Sequence, residues 1–270
     1  MSTTDYRDRF GLSHHPFNKG FLRNHIFEST DLKQLRERFQ WLLSDRGIGL
    51  LTGPSGVGKT ACLHSIVQTL PAHRYPVLYL EDSQAGANDM YRALAWHLGL
   101  VPAFRRSTLW REIKQHLLKL NDENDQQVIV VIDDAHKLIN DFLNSLSAFM
   151  NFLFDSREIL TVWLVGDSNL IRMLNQTQHR HLMSRIHLRV HLDAMDQSTL
   201  SQYITACIGA AGCTRQIIGD VAMDAVFHIS QGIPRIAGKL VTTALRVAHE
   251  EDRDIVCERI IEQARELTLV

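Results

Sequence analysis

The residues Gly53-Pro54-Ser55-Gly56-Val57-Gly58-Lys59-Thr60 follow the pattern G-x-x-x-x-G-K-[ST] without a departure. The chemistry this spacing serves is the cradling of a polyphosphate. Glycines let the backbone wrap phosphate oxygens with its N–H groups turned inward. The helix expected after the motif, from Ala61 to about Leu70, adds a positive N-terminal potential. Lys59 reaches the terminal phosphates, and the Thr60 hydroxyl is a hard-oxygen ligand for Mg²⁺. A second constellation follows about 70 residues on. The run Val128-Ile129-Val130-Val131-Ile132 ends in Asp133-Asp134. A buried strand that delivers two carboxylates suits one to the metal (Asp133) and the other to the attacking water (Asp134). No Asn-Lys-x-Asp element is present to read guanine, so ATP is the expected nucleotide.

Other chemistry-bearing groups are weaker. Arg105, Arg106 and Lys114, with Arg111 and Trp110 among them, are the best candidates for sequence-independent contacts to DNA phosphates. A solvated helix start is the plain alternative. His179, His181, His187 and His191 have neither a cysteine nor an intervening carboxylate, which disfavours a metal site. The four cysteines, Cys62, Cys207, Cys213 and Cys257, show no CxxC spacing. Neither a disulfide framework nor a zinc site is expected, and a reducing cytoplasm fits best.

The elements that must position these residues can be read from periodicity. Leu32, Leu35, Phe39 and Leu42 line one face of a helix capped at Asp31, which ends at Arg46-Gly47. Short apolar runs at Ile48–Thr52, Val77–Leu80, Val128–Ile132, Ile159–Val165 and Arg189–Leu192 read as strands. Helices are expected at Asn88–Leu98, at Ser107–Leu120 and through Phe142, Leu146, Phe149 and Leu153. Strands alternating with helices imply a parallel sheet covered on both faces. From Asp196 the strand signal stops. Ser198, Pro234 and Asp254 are expected to open three helices. The expected organisation is therefore an irregular arm over 1–30, an α/β core over 31–194 and a small all-helical domain over 195–270.

These motifs and this order resemble the AAA+ ATPases. Ser184-Arg185-Ile186 is similar to the motif before the last core strand, whose arginine reaches a neighbouring subunit's nucleotide. Gly232-Ile233-Pro234-Arg235 is similar to the lid motif whose arginine touches the γ-phosphate in cis. The opening Phe10-Gly11-Leu12…Pro16-Phe17 and Val165-Gly166-Asp167 resemble the ExeA/TniB-like group of that family. The resemblance covers roughly residues 6–265. It implies an AAA+ P-loop sheet followed by a helical lid, bound ATP and Mg²⁺, assembly of the chain with itself into rings or filaments, and slow or ordinary ATP hydrolysis. It implies Asp134, Arg185 and Arg235 as catalytic groups and Thr60 and Asp133 as metal residues.

Two roles are known in the group. One is recruitment or activation of a transposase on double-stranded DNA. The other is secretion assembly with a membrane partner. The branch with the second role usually adds a membrane span and a further domain, neither of which occurs before Val270. The first role is therefore the leading expectation, with no membrane insertion and a cytoplasmic location. A nucleotide-gated binding module with little hydrolysis is a third reading, because the family usually has Glu where this chain has Asp134. The shorter side chain sets its carboxylate back by about 1 Å, a misplacement that can cost ~10²-fold in rate. Asp167, Ser168 and Asn169 all suit the polar sensor after the fourth strand.

Composition narrows the classes further. The 270 residues carry a formal net charge of −1 and 45% hydrophobic residues, which excludes a disordered or uniformly basic chain. Residues 1–120 hold 16 Lys and Arg against 10 Asp and Glu, whereas 121–270 hold 13 against 20. That asymmetry allows a basic face in the first half. No apolar run is long enough to span a bilayer, and the first ten residues lack the apolar stretch of a signal peptide.

Overall fold

A computed structural model describes residues 5–80, 86–153 and 157–268. The chain divides into two compact units. One comprises 31–53 and 62–192. The other joins 5–30, Pro54–Ala61 and 193–268.

The first unit is built on a five-stranded sheet of β1 (Gly47–Thr52), β2 (Val77–Leu80), β3 (Ile129–Ile132), β4 (Thr161–Gly166) and β5 (Ile186–His191). The spatial order is β2-β3-β4-β1-β5, and every pairing is parallel. All side chains of β1, β3 and β4 are buried, which is why these strands read as continuous apolar runs rather than alternating ones. β5 lies at an edge and does alternate: His187, Arg189 and His191 are exposed between less exposed apolar neighbours. Its first residues were missed in the sequence because those polar side chains break the run.

One face of the sheet packs Ile48, Leu50, Val130 and Leu164 against residues of α5 (Ala87–His97), α6 (Arg106–Asn124) and α7 (Asn140–Phe149). Elsewhere Phe39, on α3 (Thr30–Asp45), stacks on Trp163 of β4 at 5.4 Å and 5°. Arg46 and Gly47 both take positive φ and turn α3 into β1. α7 ends at Phe149, and Leu153, expected on it, has left the helix with φ of 48°.

The second unit is helical. It holds α10 (Gln197–Ala210), α11 (Asp220–Ser230), α12 (Pro234–Glu250) and α13 (Glu258–Thr268). Pro234 occupies the first turn of α12 as expected. The cap of α10 is Asp196, whose Oδ1 accepts the Thr199 N–H at 2.7 Å, while Ser198 donates to that same oxygen at 2.8 Å. Asp254 does not open the last helix, which starts at Glu258; its carboxylate pairs with Arg9 at 3.1 Å.

The opening segment is not irregular. Asp5 and Asn18 cap two short helices, α1 (Tyr6–Phe10) and α2 (Lys19–Asn24), and Gly11 closes α1 in the left-handed region. Helices of five and six residues are too short to show a 3.6-residue period in sequence. Tyr6, Phe10 and Leu12 are buried in the same apolar cluster as Ile204, Leu240, Leu245 and Ile260. Ser13 ties this segment to the Ala211 carbonyl through both its N–H and its hydroxyl, each at 2.8 Å.

Candidate nucleotide site

β1 feeds the chain into the glycine-rich loop, and α4 (Lys59–Gln68) begins at the lysine. Lys59 donates its ammonium to the Pro54 carbonyl at 2.9 Å. The loop is shaped by what lies against it. A Cβ on Gly56 would stand 2.9 Å from the Arg235 Cβ and 3.0 Å from Ile233 Cγ2, and Gly56 has φ of +87°. Only glycine meets both conditions without displacing the neighbour. The Arg235 N–H donates to the Gly56 carbonyl at 3.3 Å. The Gly232-Ile233-Pro234-Arg235 turn is thus seated on the loop within one compact unit. Gly232 is equally constrained: it has φ of +72°, and a Cβ there would clash with the Met195 carbonyl. The Arg235 side chain itself is exposed, on the first turn of α12.

The carboxylate pair stands at the end of β3. Asp133 Oδ1 accepts the Asp134 N–H at 2.8 Å, and Oδ2 accepts the Tyr79 hydroxyl at 2.6 Å. Asp134 has φ of 49°, a conformation that Asp and Asn adopt more readily than Glu. That backbone is a physical reason for the shorter acid at this position. Asp134 Oδ2 accepts from Lys137 Nζ at 2.5 Å, and the carboxylate holds the Lys137 ammonium above its ordinary pKa. After β4, Asp167 caps α8 (Ser168–Leu174): its Oδ1 accepts the Asn169 N–H at 2.8 Å, and Asn169 Nδ2 donates to Oδ2 at 3.1 Å. His136 Nε2 lies 3.8 Å from Asp167 Oδ2. Tyr79, Lys137 and His136 were not found from sequence. The two partners from near Asp134 need the turn's geometry, and Tyr79 needs the β2–β3 register.

Arg185 precedes β5 and is only 19% exposed; its guanidinium lies 3.8 Å from Glu158 Oε1. The three cations expected to contact DNA lie at the start of α6 and along it. Arg105, at the start of α6, is exposed. Arg106 lies 5.0 Å over the Trp110 ring and 3.5 Å from Asp141. Lys114 donates to the Asn151 carbonyl at 2.7 Å above Phe152, and burial lowers its pKa. Two of the three candidate DNA contacts, Arg106 and Lys114, thus have partners within the chain. His179 is buried, with Nε2 3.1 Å from Asn140 Oδ1.

A family model described as an AAA domain matches residues 31–174. The chain belongs to that family. General secretion pathway protein A of Aeromonas hydrophila is 28% identical over 246 residues, covering 90% of this chain and 45% of that protein. The chain therefore spans about half the length of this curated relative. Among solved structures, Cdc6p from Pyrobaculum aerophilum matches 94% of this chain and 70% of its own, with a TM-score of 0.72 and 14% identity. RuvB from Thermotoga maritima, described as a Holliday junction branch migration motor, matches 92% and 73% with a TM-score of 0.60 and 20% identity. These likenesses establish the fold alone. The family match and the similarity to General secretion pathway protein A make the chain an ExeA-like AAA+ protein, with a parallel sheet flanked by helices. No described helix is long and apolar enough to cross a membrane.

Proposed function

We propose that this chain binds ATP in cis on the loop Gly53–Ala61, with Lys59 and Arg235 on the terminal phosphates, and hydrolyses it only when a second copy supplies Arg185. The observation that carries this reading is the seating of Arg235 on Gly56, which joins two motifs far apart in sequence. Thr60 and Asp133 are the assigned Mg²⁺ residues. Their hydroxyl and carboxylate oxygens are the donor type that ion takes. Mg²⁺, when bound, offsets charge developing on the phosphates. Asp134 orients and deprotonates the water, for which it must give up Lys137. Arg185 must likewise leave Glu158, so hydrolysis is coupled to assembly.

Such a module acts as a nucleotide-gated assembly device. The secretion-assembly role is supported by the relative named above, a general secretion pathway protein, and becomes the first reading, with a membrane partner as part of that proposal. The role originally expected, recruitment of a transposase on double-stranded DNA, is the second. Its candidate DNA contacts are Arg105, Arg106 and Lys114, of which Arg105 is exposed.

The test mixes two inactive variants. Lys59→Ala and Arg185→Ala should each lack turnover, and together they should regain part of it, because one mixed interface pairs an intact loop with an intact arginine. No recovery from folded, co-assembling variants would place Arg185 outside the site. Stimulation of turnover by duplex DNA would favour the transposition role, and its absence the secretion role.

A further inference from the structure

Asp133 is held by its own chain at both carboxylate oxygens. One bond comes from the backbone N–H of Asp134 at 2.8 Å. The other comes from the Tyr79 hydroxyl at 2.6 Å, the short range of an O–H donor on a charged acceptor. Tyr79 belongs to β2, where it pairs in register with Val131 of the neighbouring strand β3. Its half-buried ring thus stands beside the strand that ends in Asp133. The terminal torsion of an aspartate is broad, so a carboxylate at a strand end turns readily unless something fixes its plane. The backbone bond holds one oxygen, and the phenol's bond on the other oxygen restricts that torsion further.

We propose that Tyr79 is a positioning residue that fixes the carboxylate plane of Asp133 for the metal ion assigned to it. The inference rests on the assignment of Asp133 to the metal made above. Tyr79 acts through Asp133 and touches neither nucleotide nor ion. Loss of an outer hydrogen-bond partner of a metal residue commonly costs about 10–100-fold in metal affinity or activity. The expected signature is therefore a raised Mg²⁺ requirement, with the metal-free affinity for nucleotide unchanged.

The experiment titrates Mg²⁺ against binding of a fluorescent ATP analogue to the full chain, for the parent, Tyr79→Phe, Tyr79→Leu and Asp133→Asn. Tyr79→Phe keeps the ring and removes only the hydroxyl. It should raise the half-saturating Mg²⁺ by about tenfold, with binding in EDTA unaltered. Tyr79→Leu should raise it no further, although it lowers the melting temperature. Mn²⁺ in place of Mg²⁺, followed by its electron spin resonance signal, gives the same comparison without turnover. An unchanged Mg²⁺ requirement in Tyr79→Phe, with a shift in Asp133→Asn, overturns the inference and leaves the metal assignment standing. A shift seen only in Tyr79→Leu assigns the effect to ring packing and also overturns it. No shift in Asp133→Asn removes the metal assignment and the inference together.

Discussion

The glycine-rich loop and the end of β3 are made by opposite means. The loop is defined by what is missing from it: Gly56 has no Cβ because the Arg235 and Ile233 side chains occupy that space. The end of β3 is defined by what is attached to it. Asp133 takes a bond from Tyr79, and Asp134 takes one from Lys137 in a left-handed backbone. A phosphate needs converging N–H groups and an open path. A metal ligand and a base need fixed carboxylates. The difference is that the loop takes its shape from a turn distant in sequence, whereas Asp133 takes a partner from the neighbouring strand and Asp134 one from three residues on.

The largest effect that probes this contrast is at the end of β3. Asp134→Asn tolerates the same left-handed backbone and removes only the base, so turnover should fall ~10²–10⁴-fold while ATP affinity holds. Asp134→Glu should keep or raise turnover but lower the melting temperature, since an ordinary side chain at that φ costs about 1–2 kcal/mol. Steady-state phosphate release and thermal melts check both. Parent-like turnover in Asp134→Asn would move the base elsewhere and erase the contrast.

A second prediction concerns the unit that carries the loop. Phe10 is fully buried among the helices of that unit. Phe10→Ala should destabilise it by about 3–5 kcal/mol, read by urea unfolding, and ATP affinity should weaken in step. The matching truncation in the sheet unit, Phe39→Ala, removes a ring stacked on Trp163. Its cost should appear in stability, with ATP affinity retained wherever the chain remains folded.

The smallest effect is one of pH. Burial lowers the pKa of His179 below its ordinary 6.5. The folded state then binds fewer protons there than the unfolded state, so the contribution is full above pH 6.5 and declines as pH falls through that value toward the folded pKa. His179→Gln should flatten this part of the stability curve in pH-dependent denaturant melts. An unaltered slope would assign the acid sensitivity to other groups.

Much of this was legible beforehand because the informative patterns are local. The loop motif, the apolar runs of β1, β3 and β4 and Pro234 at the start of α12 each occupy a few consecutive residues. The α1 and α2 helices escaped because each is shorter than a periodicity window. The cap of α10 was misassigned because Asp196 and Ser198 lie close together at its start, and only geometry picks the acceptor. Tyr79 was invisible because nothing in its neighbourhood states which strand lies beside it. The bond from Lys114 to the Asn151 carbonyl was not legible because sequence does not show that the chain returns there.

The central claim is that the glycine-rich loop and the Gly-Ile-Pro-Arg turn form one nucleotide site in a single chain. Equilibrium binding of labelled ATP to the monomer, at a concentration below assembly, tests it most directly in the parent, Lys59→Ala, Arg235→Ala and Arg185→Ala. Hydrogen bonds to charged groups contribute about 1.5–3 kcal/mol, so losing Lys59 or Arg235 should each weaken binding at least roughly tenfold, and Arg185→Ala should bind as the parent does. Parent-like affinity in Lys59→Ala or Arg235→Ala, or a loss in Arg185→Ala, would contradict the account.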